Sequence, residues 1–213
     1  MDFIINKLLV LPGIIIGLTF HEYAHAKTAC VFGDNTAKNE GRVSLNPMKH
    51  LDIIGFLCLI IVGFGWGKPV PVNPYNITGK NRKLKEVMIS AAGVIMNFFI
   101  ALIFAVILVG VSQKAPQLFA SESGTYLYYA VYYICYINIV LMIFNLIPIP
   151  PLDGFNIVAE ISSFNETELY WKLLRYGSFI LIILLVTNVI DYILTPGING
   201  VFNLINMILR LIF

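Results

Sequence analysis

Charge is scarce in this chain: 12% of its 213 residues are Asp, Glu, Lys or Arg, against 58% that are hydrophobic. With a mean hydropathy of +0.82, the composition is that of an integral membrane protein. A net charge of +2 spread through the loops leaves no basic stripe, which excludes a nucleic-acid partner. Cysteine is nearly as sparse. Cys30, Cys58 and Cys135 stand alone, with no CxxC pair and an odd total, and read as small buried hydrophobes rather than as disulfide or metal partners. No internal repeat is present. Histidine occurs only at positions 21, 25 and 50, so any chemistry that needs imidazole has few places to be.

Long apolar runs are what the chain does contain. They cover roughly residues 3–20, 51–65, 87–111, 126–149, 177–194 and 198–213, and crossing the hydrocarbon core takes about 20 residues. The first run, followed by "AHA" at residues 24–26, imitates a secretory signal peptide. Asp2 offsets Lys7 in the would-be basic leader, however, and His21 and Glu22 interrupt the approach to the supposed cleavage site. It is therefore read as a retained membrane segment.

That segment ends in "HEYAH". On a helix, His21 and His25 project from one face and can hold a single cation. Glu22, directly after the first histidine, is placed to act as a general base on water beside the metal without being a ligand. Ionisable groups at membrane depth are costly and mark function. A catalytic zinc site commonly takes three protein ligands. His50 is a poor third, because Asn46 and Pro47 before it read as the N-cap and first position of a helix, which makes His50 a polar first-turn residue. Asp153 is the better candidate. It follows Pro148, Pro150 and Pro151 in "FNLIPIPPLDGFN", a helix-breaking stretch tolerated at membrane depth only when buried in protein or lining a cavity. Zn2+ with Asp153 and Glu22 ionised and two neutral histidines would sum to zero charge, the form that is easiest to bury.

If His21, His25 and Asp153 share one metal, the first and fourth apolar segments must run parallel, with 87–111 crossing between them and the short 51–65 run entering and leaving on one side. Lys38, Arg42, Lys49, Lys68, Lys80, Arg82, Lys83 and Lys85 flank that run, whereas loop 112–125 carries only Lys114. The positive-inside rule then assigns 33–86 and the metal to the cytoplasmic side. "GWGKPVPVNPYN" at 65–76 is expected to be extended and to approach the site, where it could pair with a substrate strand. Residues 160–175 read as a surface helix without chemistry, and 198–213 as either spanning or interfacial.

These motifs together resemble the site-2 protease family of intramembrane zinc metalloproteases: "HEYAH", "GRVSLNP" with "HLD" behind it, "GWGKPVPVN", Ser90 to Asn97 beginning "SAAG", and "NLIPIPPLDG". They span residues 20 to 154 in the family's order. The resemblance implies that His21, His25 and Asp153 bind one zinc per chain and that Glu22 is the general base. It further implies that Asn145 contacts substrate or oxyanion, and that the substrate is a transmembrane protein cut within the bilayer. Val94 stands where the family more often has proline. The expected fold is an all-α polytopic membrane protein with about five to six transmembrane or re-entrant segments around a catalytic core of three helices. It forms one domain over 1–213, with a core at 1–160 and further segments at 161–213, in a bacterial-type cell membrane. Two rivals have other functions: a catalytically silent client-binding protein, which would have no use for Glu22, and a metal transporter, which usually shows two corresponding halves.

Overall fold

The computed structural model describes residues 3–62 and 65–213, and within them every regular element is helical. The α-helices are α1 (Phe3–Val31), α2 (Thr36–Asn39), α3 (Ile53–Val62), α4 (Arg82–Lys114), α5 (Glu122–Asn145), α6 (Asp153–Ser162), α7 (Glu168–Val186) and α8 (Asp191–Ile212). Five of them, α1, α4, α5, α7 and α8, are long and apolar enough to cross a membrane. With backbone groups satisfied inside each helix, this is the form an apolar chain must take in lipid. The protein is an all-α, multi-pass membrane protein.

Helices α1, α4 and α5 pack on one another as a central trio. The direction of each follows from its contacts. Gly13 meets the backbone at Tyr133 and Ile134, and four residues later Gly17 meets Asn138 and Leu141, so α1 and α5 run parallel. His21 touches Asn97 and His25 touches Ile89, so α4 runs against α1. The parallel pairing expected from the shared-metal argument is thus present. Its physical basis was not recognised in the sequence. Gly13 and Gly17 form a small-xxx-small stripe, and a Cβ on Gly13 would stand 2.8 Å from the Tyr133 carbonyl. The backbones approach because those side chains are missing.

Helix α8 packs on α4 and on a face of α5 different from the one that meets α1. Its Val201, Ile205 and Leu209, four residues apart, close an apolar cluster with Ala101, Ala105, Cys135 and Ile139. Residues 198–213 therefore belong to a helix of spanning length that begins at Asp191 and continues through Pro196. The 177–194 run divides differently from expectation. Its helix starts at Glu168, capped by the Thr167 hydroxyl accepting from the Tyr170 N–H at 3.2 Å, and stops at Val186. Asn188, with φ of 57°, turns the chain into α8. The stretch 160–175 is thus the end of α6 and the start of α7 rather than one surface helix.

Helix α3 is short and exposes Ile53, Ile54, Leu57 and Ile61. An isolated antiparallel bridge between Leu51 and Gly67 brings its two flanks together, which is the re-entrant path expected for 51–65. Asn46 does cap a helix, accepting from the Met48 N–H at 3.0 Å, but that helix is one 3-10 turn, Pro47–Lys49. His50 is not a polar first-turn residue. It is fully buried, its Nε2 donates to the Ser44 carbonyl at 2.6 Å, and its own carbonyl accepts from Lys68 N–H at 2.7 Å. The turn folds back on itself and uses the imidazole as a pin.

Candidate metal centre

Each of the three expected ligands arrives from a helix end. His21 and His25 sit one turn apart near the C-terminal end of α1, and Asp153 is the first residue of α6. Asp153 is therefore not carried by α5 itself. The chain leaves α5 at Asn145, turns through Pro148, Pro150 and Pro151, and restarts with Asp153 aimed back at α1.

The hydrogen bonds behind the imidazoles decide which ring atoms face the centre. His25 Nδ1 lies 2.7 Å from the Ile89 carbonyl, which can only accept, so Nδ1 donates. His21 Nδ1 lies 2.7 Å from Asn97 Oδ1 and donates as well. In neutral imidazoles both Nε2 atoms then carry lone pairs. They stand 3.0 Å apart, and Asp153 Oδ2 lies 3.1 Å from one and 3.2 Å from the other. Oδ2 is buried and receives no hydrogen bond. Three electron-pair donors pointed at one another in a buried place repel unless a cation joins them. Ligands about 2.0–2.2 Å from a tetrahedral zinc ion lie roughly 3.3 Å from each other, so spacing and chemistry both fit.

Glu22 stands outside this trio. Its Oε2 accepts from the Val70 N–H at 3.0 Å, which holds the carboxylate toward the extended 66–73 segment. Glu22, His21, His25 and Asp153 open onto a cavity of about 400 Å³ whose walls include Pro69, Val70, Asn145 and Asn156. Asn145 donates one N–H to the Leu141 carbonyl at 3.0 Å, leaving its second N–H and its oxygen for other use. The "GWGKPVPVN" stretch does approach the site, as expected. Three of its donors are nevertheless engaged: Lys68 N–H by His50, Val70 N–H by Glu22 and Asn73 N–H by Asp34 at 2.7 Å. Pro69 and Pro71 have none.

The sequence model of peptidase family M50 matches residues 9–187. The chain belongs to this family, the site-2 protease family of metalloproteases. Among similar proteins, "Putative zinc metalloprotease YwhC" of Bacillus subtilis (strain 168) is 36% identical over 88% of this chain and 84% of its own length. "Putative zinc metalloprotease Rip2" of Mycolicibacterium smegmatis is 26% identical over 86% of this chain and 69% of its own, and the protein of the same name from Mycobacterium tuberculosis (strain H37Rv) is 28% identical over 91% and 70%. No solved structure matches the chain.

Several M50 site features were not recognised from the sequence. Gly93 of the "SAAG" motif lies flat against both imidazoles: a Cβ there would stand 2.4 Å from His25 Nε2 and 2.5 Å from His21 Cε1. Only a missing side chain lets α4 back the metal centre this closely. Glu86, Glu160 and Tyr170 form a further wall of the cavity. Burial, and then the Glu86 carboxylate beside it, push Glu160 up to about 7. Asp34, fully buried below the C-terminal end of α1, clamps the 73–76 turn by accepting from Asn73 N–H, Asn76 Nδ2 at 3.1 Å and both donors of Thr36. Apart from the local Asp34–Thr36 turn, no spacing signal marks these residues, because their other partners lie some 40 or more positions away.

Proposed function

We propose that this M50 metalloprotease is a zinc-dependent intramembrane endopeptidase that hydrolyses peptide bonds within or near the transmembrane segments of membrane proteins. The observation that carries the reading is the buried trio of His21 Nε2, His25 Nε2 and Asp153 Oδ2, mutually 3.0 to 3.2 Å apart, with the Nδ1 atoms of both rings turned away toward Asn97 and Ile89. When bound there, zinc supplies Lewis-acid polarisation of the scissile carbonyl and lowers the pKa of attacking water. Glu22 takes the proton from that water as general base, with Val70 N–H holding the carboxylate in place. Asn145, on the same cavity wall, offers its second N–H to the substrate carbonyl or the oxygen that develops negative charge.

The substrate segment has to unwind before it is cut, since a helical carbonyl is hydrogen-bonded and wrapped by side chains; helix-destabilising residues near the cut favour this step. The 66–73 segment borders the site as an extended wall. With Val70 N–H held by Glu22, it pairs with an unwound substrate through its other backbone groups. The lysines and arginines around α3 set the metal end of the bundle toward the cytoplasm of a bacterial-type cell.

Zinc content per chain in detergent-purified protein tests the metal, with wild type set against His21→Ala and Asp153→Ala. About one zinc per wild-type chain, lost in both variants, is expected. Zinc-free, well-folded wild type overturns the reading. Glu22→Gln tests the base: zinc is retained, while cleavage of a transmembrane client falls by about 10²–10⁴. Undiminished cleavage by that variant would reassign Glu22.

A further inference from the structure

Two asparagines at membrane depth, Asn97 on α4 and Asn138 on α5, are both fully buried. Neither belongs to the ligand set, and a buried amide in an apolar bundle calls for a reason. Their hydrogen bonds form a single chain with one direction. Asn138 Nδ2 donates to the Ile134 carbonyl at 2.8 Å. That leaves Asn138 Oδ1 to accept from Asn97 Nδ2, also at 2.8 Å, while the same Asn97 nitrogen donates to the Gly17 carbonyl at 3.1 Å. Asn97 Oδ1 is thereby turned toward His21 Nδ1 at 2.7 Å.

We infer that Asn138 and Asn97 are positioning residues that fix the tautomer of His21, so that its Nε2 presents a lone pair to the metal centre. The polarity of the whole chain is set at its start, because the Ile134 carbonyl can only accept. Were Asn97 to flip, its oxygen would face two acceptors, the Gly17 carbonyl and Asn138 Oδ1, and its NH2 would face His21 Nδ1. The ring would then carry its proton on Nε2 and cease to be a ligand. Among the described residues those two acceptors oppose the flip, and without Asn138 only the Gly17 carbonyl remains. His25 needs no such device, since a backbone carbonyl orients it directly. The chain also ties α1, α4 and α5 to the state of one imidazole, so that the central trio has to be in register before the site can load.

The inference rests on the proposed zinc site, but its primary readout needs no metal. In metal-free wild type labelled with 15N-histidine, His21 is expected to carry a proton on Nδ1, donated to Asn97 Oδ1. In Asn138→Leu, the Nε2–H form of His21 gains population while His25 is unchanged, and zinc affinity by chelator competition falls on the order of 10- to 100-fold. His25 is the internal control: damage to packing alone shifts both rings together. An Nε2–H tautomer at His21 in the wild type overturns the inference, as does an Asn138→Leu protein in which both rings move alike or neither moves. If that variant does not fold, the wild-type spectrum still decides. Failure of wild type to bind zinc sinks the metal reading and leaves the tautomer result standing.

Discussion

Helices α4 and α5 are used in opposite ways on two of their faces. Toward α1 they present Gly93, Asn97 and Asn138, whose contacts are made by polar atoms and an absent side chain, beside the close packing of Gly13 and Gly17 on α5. Toward α8 the same two helices present Ala101, Ala105, Cys135 and Ile139, an apolar cluster in which shape decides the fit. The polar face is costly to bury and specifies one arrangement, since each N–H there has one acceptor. The apolar face supplies packing energy that tolerates substitution of similar volume. The division lets a membrane protein keep a charged site at depth without depending on that site for its stability.

The sharpest way to break this contrast is Gly93→Ala. The added Cβ would overlap both imidazoles, so loss of stoichiometric zinc is expected in a protein that still folds; metal analysis beside a thermal melt in detergent measures both. Full zinc occupancy in Gly93→Ala would mean that α4 does not back the site closely. On the α8 face the expectation reverses. Ile205→Ala, at a residue 1% exposed, should cost about 2–5 kcal/mol of stability and leave zinc per chain unchanged. A denaturation midpoint equal to wild type would remove α8 from the load shared by α4 and α5.

The smallest effect is expected at Asp34, outside the membrane segments. Burial raises its pKa, but hydrogen bonds from Thr36, Asn73 and Asn76 more than offset this and hold the carboxyl below its usual range. A depressed folded-state pKa contributes stability above the unfolded value of about 3.9 that is lost as pH falls through the folded value. Asp34→Asn should therefore lower stability by about 1–3 kcal/mol at neutral pH, with the gap to wild type closing as the medium becomes strongly acidic. A gap that stayed constant down to low pH would mean that the ionised form makes no special contribution.

How much of this was legible beforehand varies by element. His21, Glu22 and His25 were visible because one helical turn is a fixed local geometry, and Asp153 because the histidine pair called for a third ligand and a carboxylate after three prolines at the end of an apolar run could supply it. The re-entrant α3 was visible from the crossings that a shared metal demands, together with its short length. The α6–α7 boundary was not, since Thr167 as a cap and Asn188 in a left-handed turn are weak signals inside a continuous apolar pattern. His50 was misread for a similar reason: a cap followed by proline marks a helix start, but not whether the helix lasts one turn or five.

What the sequence by itself determined is the class of molecule and the residues on offer: helices because apolar backbone in lipid must satisfy itself, and two imidazoles one turn apart beside a carboxylate, the donor set of the proposed metal site. The tertiary structure alone decided which atoms meet. Gly93 against two rings, the Asn138–Asn97–His21 chain and the hold of Val70 on Glu22 all join residues distant in the chain. Such contacts follow from how closely and in what direction helices pack, and no local periodicity encodes that.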